Sequence, residues 1–166
     1  MRWFDLFDSP FSGFKSLVLI GDAKGLQALK LIQENQQFAP QKDWQHNSQI
    51  FAETRAQLLA YAKGELRSFE LKLNPQGTEF QKQVWQALQT IPYGETRTYQ
   101  HIAEHIGKPK SYRPVGNANN KNPIPIIIPC HRVLPKNGAI GGYTYGTQLK
   151  AQLLALEAEH YSQPMP

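Results

Sequence analysis

The run Pro129-Cys130-His131-Arg132-Val133 puts a thiol, an imidazole and a guanidinium side by side behind the apolar residues Ile126, Ile127 and Ile128. Cys130 is the only cysteine in 166 residues, so it can form no internal disulfide and cannot by itself build a zinc site. Two readings remain: an inert buried thiol, the commoner fate of a free cysteine, or a nucleophile. The neighbours favour the nucleophile. Lowering a thiol pKa by ~1.5 units removes about 2 kcal/mol from the cost of ionising it. His131 and Arg132 are the kinds of group that do so, and segment 126–128 reads as the strand that delivers them.

The elements around this run must position it. Thr98 can cap a short helix through Ile106, with Ile102, Ala103 and Ile106 as its apolar positions. Gly107-Lys108-Pro109 forces a turn. Ser111 can cap a second helix to about Asn119, where Pro114 is tolerated because it falls in the first turn. Two short helices joined by a Gly/Pro turn form a helix-turn-helix candidate, although most such pairs are packing units. The second helix is unusual in composition. Gly116 and Ala118 are small, Asn117, Asn119 and Asn120 are polar, and Lys110, Arg113 and Lys121 are basic. Small residues permit close approach to a groove wall, and basic ones supply phosphate contacts.

Upstream, Ser16-Leu17-Val18-Leu19-Ile20 reads as a strand, and Gly25 to Leu31 as a further strand or a short helix. Phe51 to Lys63 has helical spacing and stops at Gly64, while Phe69 to Leu73 alternates like an edge strand. Asn74-Pro75-Gln76-Gly77 breaks the pattern and is the expected domain boundary, dividing the chain into 1–73 and 74–166. Thr78 and Gln81 then match a capping box, with Phe80, Val84 and Leu88 on one face of the helix they open.

A hydrophobic content of 40% is enough for a core, and the longest apolar runs are too short to span a bilayer. No basic region precedes a long apolar stretch near Met1, so a cytoplasmic protein with a reduced Cys130 is the expectation. The net charge of +5 is unevenly spread. Residues 1–96 carry ten basic and ten acidic side chains, whereas 97–150 carry eight basic residues against Glu104 alone. Such segregation suggests a polyanion-facing surface near the cysteine, the alternative being a solvated basic face.

From Phe80 to Glu157 the chain resembles the O6-alkylguanine-DNA alkyltransferases. The resemblance rests on Pro92-Tyr93-Gly94-Glu95, Thr98 to Ala103, Arg113-Pro114-Val115-Gly116-Asn117-Ala118, Asn122-Pro123, Ile128 to Val133, Gly138 to Tyr143 and Leu153 to Glu157. It implies an α/β N-terminal domain, a small ribonuclease H-like sheet with a helix, followed by a mostly α winged helix-turn-helix domain. It also implies the activity: direct, irreversible transfer of an alkyl group from O6 of guanine, and from O4 of thymine, to Cys130. No cofactor or metal takes part, each molecule acts once, and the partner is duplex DNA bound by a monomer through the minor groove.

The same resemblance implies roles residue by residue. His131 would deprotonate Cys130 through a water, since neighbours in an extended chain point different ways, and Glu157 would orient the imidazole. Tyr99 would donate toward the guanine ring, and the backbone N–H of Thr144 would approach O6. The carbonyls of Cys130 and Val133 would accept from the exocyclic amine, Tyr143 would close the pocket wall, and Asn122 would bridge the recognition helix and the active-site strand. The expected DNA contacts are Lys110, Ser111, Tyr112, Arg113, Gly116 and Asn117, with Arg113 filling the place of a base flipped out of the stack. If about four basic residues meet phosphates, the log-log salt slope is roughly −3.6.

Several positions depart from the family pattern. Pro114 replaces a common alanine and could shift the helix start. Tyr145 stands where many members have glycine or another residue, which would narrow the pocket mouth against bulky adducts. Gln152 replaces a frequent tryptophan, and the cysteines of the N-terminal zinc site of some animal members are absent. A lesion sensor that binds without transferring the alkyl group typically lacks the cysteine, and a thiol hydrolase would leave the basic helix pair unexplained.

Overall fold

Leu17 to Gly21 form five consecutive buried residues inside strand Ser16–Asp22, a pattern that requires cover on both faces. With β1 (Trp3–Asp8), β2 (Ser16–Asp22), β3 (Gly25–Ile32) and β4 (Gln45–His46), the sheet order is β3-β2-β1-β4. β2 is antiparallel to both neighbours and β4 is parallel to β1, so the sheet is mixed. On one face Val18, Ile20 and Ile32 pack with Phe4, Ala28, Phe38 and Trp44. The alternate residues Leu17, Leu19, Leu29 and Leu31 are buried on the other. The helix α1 (Ala52–Ala62) buries Thr54, Leu58 and Tyr61, and the Tyr61 ring meets Phe69 at 5.4 Å.

This computed structural model describes residues 1–161, which form two compact units, Met1–Gln76 and 77–161. β1 is not announced by its sequence because Asp5 occupies an inward position. Its carboxylate is buried and accepts from Arg55 Nη1 at 2.6 Å, with His46 Nε2 at 2.9 Å. Phe69 to Leu73 does not form the expected edge strand. Only a single bridge joins Leu73 to Leu26, through Leu26 N–H to the Lys72 carbonyl and Asn74 N–H to the Leu26 carbonyl. The Gln57 side chain takes both backbone groups of Glu70 instead, its Nε2 donating to the carbonyl at 3.2 Å and its Oε1 accepting from the N–H at 3.0 Å, and at Gly25 (φ +140°), where β3 begins, the Lys72 carbonyl approaches so closely that a side chain would not fit.

The second unit opens with α2 (Glu79–Leu88), whose capping box is complete: Thr78 Oγ1 accepts from Gln81 N, and Gln81 Oε1 from Thr78 N. Trp85 rather than Phe80 is its large buried residue, and the indole N–H donates to the Ala118 carbonyl at 2.8 Å. β5 (Arg97–Thr98) runs directly into α3 (Tyr99–His105), with Thr98 Oγ1 accepting from His101 N. Gly107 (φ +76°) follows the end of α3, and α4 (Tyr112–Asn120) follows a short turn. β6 (Val133–Leu134) pairs in parallel with β5, and α5 (Thr147–His160) closes the unit.

Two expectations fail here for backbone reasons. Ser111 stands at the start of α4 but makes no side-chain cap bond. Its ψ of 27° contrasts with 164° and 162° at Thr78 and Thr98, the extended conformation that aims a hydroxyl at the first turn. Segment 126–128 is not a strand either. Ile126 has φ +73° and the Ile127 N–H reaches the Pro125 carbonyl, while Pro129 (φ −81°, ψ 63°) centres a second three-residue turn that bonds Cys130 N–H to Ile128 O. Branched residues almost never adopt such a positive φ, so burial of Ile124, Ile126 and Ile128 compensates strain. Cys130–Arg132 is then a single 3-10 turn. Among the described residues no helix is long and apolar enough to cross a membrane.

Thr78→Ala removes one half of the capping box and is expected to cost about 1 kcal/mol, read as a lower urea midpoint at unchanged slope.

Candidate active site

Cys130, His131 and Arg132 are all buried on one 3-10 turn, and His131 and Arg132 share a partner. Glu157, on the buried face of α5, collects most of the polar contacts. His131 Nε2 lies 2.6 Å from its Oε2, and Arg132 grips both oxygens, Nε to Oε1 at 2.8 Å and Nη2 to Oε2 at 3.0 Å. The Gly94 N–H donates to Oε1 at 3.1 Å. Gly94 is needed there: its φ is +80° and a side chain would collide with the Tyr161 ring. The third Arg132 nitrogen donates to the Ile91 carbonyl at 2.7 Å, and the guanidinium lies over the Tyr93 ring.

Burial pushes the Glu157 carboxyl up, but the His131 and Arg132 bonds outweigh it and hold the group well below the usual carboxylate range. His131 is pushed below its ordinary value by burial, against the pull of Glu157. At neutral pH the arrangement is therefore an ionised Glu157, a charged Arg132 and a neutral imidazole. An ionised carboxylate only accepts, so Nε2 carries the ring proton and Nδ1 holds the lone pair. Nδ1 is buried and has no hydrogen-bond partner among the described residues. The imidazole is thus oriented as a base.

Arg132 does not lower the Cys130 pKa, because it is committed to Glu157. The cation that does is Lys150, twenty residues away. Burial raises the thiol above its ordinary value, while hydrogen bonds from Asn122 and Tyr143 and the charge of Lys150 act the other way. Lys150 is fully buried, and its ammonium donates to two neutral carbonyls, Val133 at 2.8 Å and Gly142 at 3.3 Å. Burial lowers it to about 8, opposed by the charge of an ionised Cys130. Tyr99, half-buried at the start of α3, is raised by burial and next by the Cys130 charge.

The remaining expected residues fall around this centre. Asn122 Nδ2 donates to Ile128 O at 2.8 Å and its Oδ1 accepts from Ile124 N at 3.0 Å, so it braces the turns before Cys130 rather than a strand. The link from α4 to the cysteine is made by Asn119, buried, whose Nδ2 donates to the Cys130 carbonyl at 3.3 Å. Thr144 is exposed and its hydroxyl donates to the Asn120 carbonyl, tying the loop after β6 to the end of α4. Val133 is buried in β6, and Gly116 faces the Tyr99 ring. Lys110, Tyr112, Arg113 and Asn117 are exposed on or beside α4, with Ser111 half-buried. Of the eight basic residues in 97–150, Arg132 and Lys150 are interior and Arg97 pairs with Glu95, so the outward basic set is Lys108, Lys110, Arg113, Lys121 and Lys136. Among the described residues no group of three or more His, Cys, Asp or Glu side chains could hold a metal ion.

Comparison with known proteins adds a decisive observation. The family model described as 6-O-methylguanine DNA methyltransferase, DNA binding domain, matches residues 79–159. The methylated-DNA–protein-cysteine methyltransferase of Methanosarcina barkeri is 50% identical over 155 residues, which cover 93% of this chain and 96% of that one. The chain belongs to the methylated-DNA–protein-cysteine methyltransferase family. The relative of that name from Mycolicibacterium paratuberculosis is 47% identical over 92% of this chain and 90% of its own. A Mycobacterium tuberculosis OGT crystallised in complex with DNA superposes with a TM-score of 0.84 at 42% identity, covering 95% and 94% of the two chains.

Within this family site, Lys150, Arg132 as a Glu157 ligand, and Asn119 are the residues that motif reading missed. A usable signal existed for Lys150: it interrupts the apolar face of α5 formed by Leu149 and Leu153, seven residues before Glu157 on the same face. In Lys150→Met the thiolate loses the cation whose charge favours it, so the thiol pKa rises. Alkylation of Cys130 by iodoacetamide should be about tenfold slower at neutral pH and climb at higher pH than in the wild type. A superimposable pH profile would remove Lys150 from the electrostatics of the thiol.

Proposed function

We propose that this protein repairs DNA by moving an alkyl group, chiefly methyl, from O6 of guanine to the sulfur of Cys130. The observation that carries the proposal is a buried thiol that shares its 3-10 turn with a buried imidazole, oriented by Glu157 and with no partner on Nδ1 among the described residues, while the buried Lys150 ammonium acts on the sulfur. A solvent-facing thiol would need none of this. In the step, His131 takes the thiol proton at Nδ1 through a water, and the resulting imidazolium is stabilised by Glu157. The thiolate, held by Lys150, Asn122 and Tyr143, attacks the methyl carbon in line. The S–C bond forms as the C–O6 bond breaks, and the electron pair goes to the guanine. Tyr99 donates toward the ring and the Thr144 N–H toward O6, so that the base departs with its charge dispersed. The carbonyls of Cys130 and Val133 select guanine through its exocyclic amine.

The product is a thioether, which has no ready route back to a thiol, so each molecule acts once. O4-alkylthymine presents the same bond to the same thiolate and is the second substrate of this reading. The partner is duplex DNA, met through the minor groove by a monomer in the cytoplasm. Arg113 enters the stack where the target base leaves, and Lys110, Ser111, Tyr112, Gly116 and Asn117 line the approach. In this reading the first unit is the small ribonuclease H-like domain, and α3, α4 and the β5–β6 pair make the winged helix-turn-helix.

Mixing the protein with an equimolar duplex carrying one O6-methylguanine should add one methylene to the intact mass, mapped to Cys130 and absent in Cys130→Ser. Tight lesion binding at unchanged mass would make the protein a sensor, and repeated turnover would make it a hydrolase. Glu157→Gln keeps the shape but loses the charge that supports imidazolium, and should slow transfer by at least about a hundredfold in single-turnover assays.

A further inference from the structure

Tyr112, the first residue of α4, is 47% exposed, and the structure gives it no place in the core. The guanidinium of Arg113 lies 5.9 Å from the centre of its ring, within cation–π range. Consecutive helical residues point about 100° apart, so this contact requires Arg113 to fold back along the start of the helix. The two side chains together form an aromatic, cationic projection at the N-terminal end of α4. Lys110 lies beside it, and Lys121 ends the same helix as another outward cation. An exposed ring between outward cations has the composition of a surface that meets unstacked bases within a phosphate backbone.

We propose that Tyr112 is a second stacking side chain of the base-flipping step: its ring covers the base pair next to the vacated position while Arg113, carried on its face, fills the vacancy. The proposal rests on the DNA alkyltransferase reading above and names the part of the duplex this residue meets. Apolar wedges in minor-groove proteins hold base steps apart, and every base offers a π face, so an aromatic wedge acts in any sequence context. A neutral ring also adds hold on the opened duplex without adding salt dependence. The pairing with Arg113 serves the free protein as well, since it holds the arginine against the ring instead of letting it sample all its rotamers.

The test compares Tyr112→Ala, Tyr112→Phe and Tyr112→Lys in single-turnover reactions with duplex DNA carrying O6-methylguanine and with the free base O6-methylguanine, which needs no extrusion. Tyr112→Ala should lower the ratio of duplex rate to free-base rate about tenfold, within the range of one base–aromatic stack. Tyr112→Phe should keep the ratio, and Tyr112→Lys should not restore it despite its added charge. With 2-aminopurine beside the lesion, the fluorescence rise at saturating protein should shrink in Tyr112→Ala, while the salt slope stays that of the wild type. Equal ratios and equal fluorescence in Tyr112→Ala and wild type would overturn the proposal, as would a Tyr112→Lys protein as active as Tyr112→Phe. A wild type that leaves the duplex lesion intact while alkylated by the free base would instead overturn the DNA reading on which it rests.

Discussion

The Glu157 carboxylate is the point on which the second unit depends. Four groups converge on its two oxygens: His131, two nitrogens of Arg132, and the Gly94 backbone. A buried charge is tolerable only when it is paired and its lone pairs are filled, and here both conditions hold. One interaction thereby joins α5, the 3-10 turn bearing the cysteine, and the loop before β5. It also fixes the tautomer of His131. Removing the carboxylate would leave a buried guanidinium unpaired and an imidazole without a preferred orientation.

Arg132 and Lys150 divide two tasks that could have fallen to one cation. Arg132 satisfies Glu157 and is spent in doing so, a planar fork matched to a carboxylate. Lys150 is a buried ammonium that donates to two neutral carbonyls, and burial has already weakened its hold on the proton. Ionising Cys130 supplies the negative charge that Lys150 lacks. The same side chain holds Val133 O and Gly142 O, so the cation that favours thiolate also secures the loop carrying Tyr143 and Thr144. Electrostatics and loop placement are therefore not separable at this residue.

α4 faces two ways. Its outward side carries Tyr112, Arg113 and Asn117, while Val115, Ala118 and Asn119 turn inward. Through Asn119 it bonds the Cys130 carbonyl, and through Ala118 it receives the Trp85 indole. A helix so anchored cannot shift without moving the cysteine backbone. The strained turns at Ile126 and Pro129 serve the same end, bringing the thiol inside where a straight strand would run past.

Much of this was legible in the chain itself. Capping at Thr78 and Thr98, the stop at Gly64, the buried strand at 16–20 and the alkyltransferase resemblance all follow from short stretches, because caps, turns and burial periods are set by residues within a turn or two of each other. The misses have a common cause. β1 was hidden by Asp5, an inward carboxylate explained by His46 and Arg55, forty-one and fifty positions later. The strand expected at 126–128 gave way to turns that burial of three isoleucines compensates, and the hydroxyl of Ser111 failed to cap because its backbone is not extended. Adjacency in sequence suggested that Arg132 would serve Cys130. Which cation faces the sulfur, which oxygen each nitrogen finds and which ring nitrogen keeps its lone pair were decided by packing α5 against the 3-10 turn, since electrostatic partners are chosen by distance in space and not along the chain.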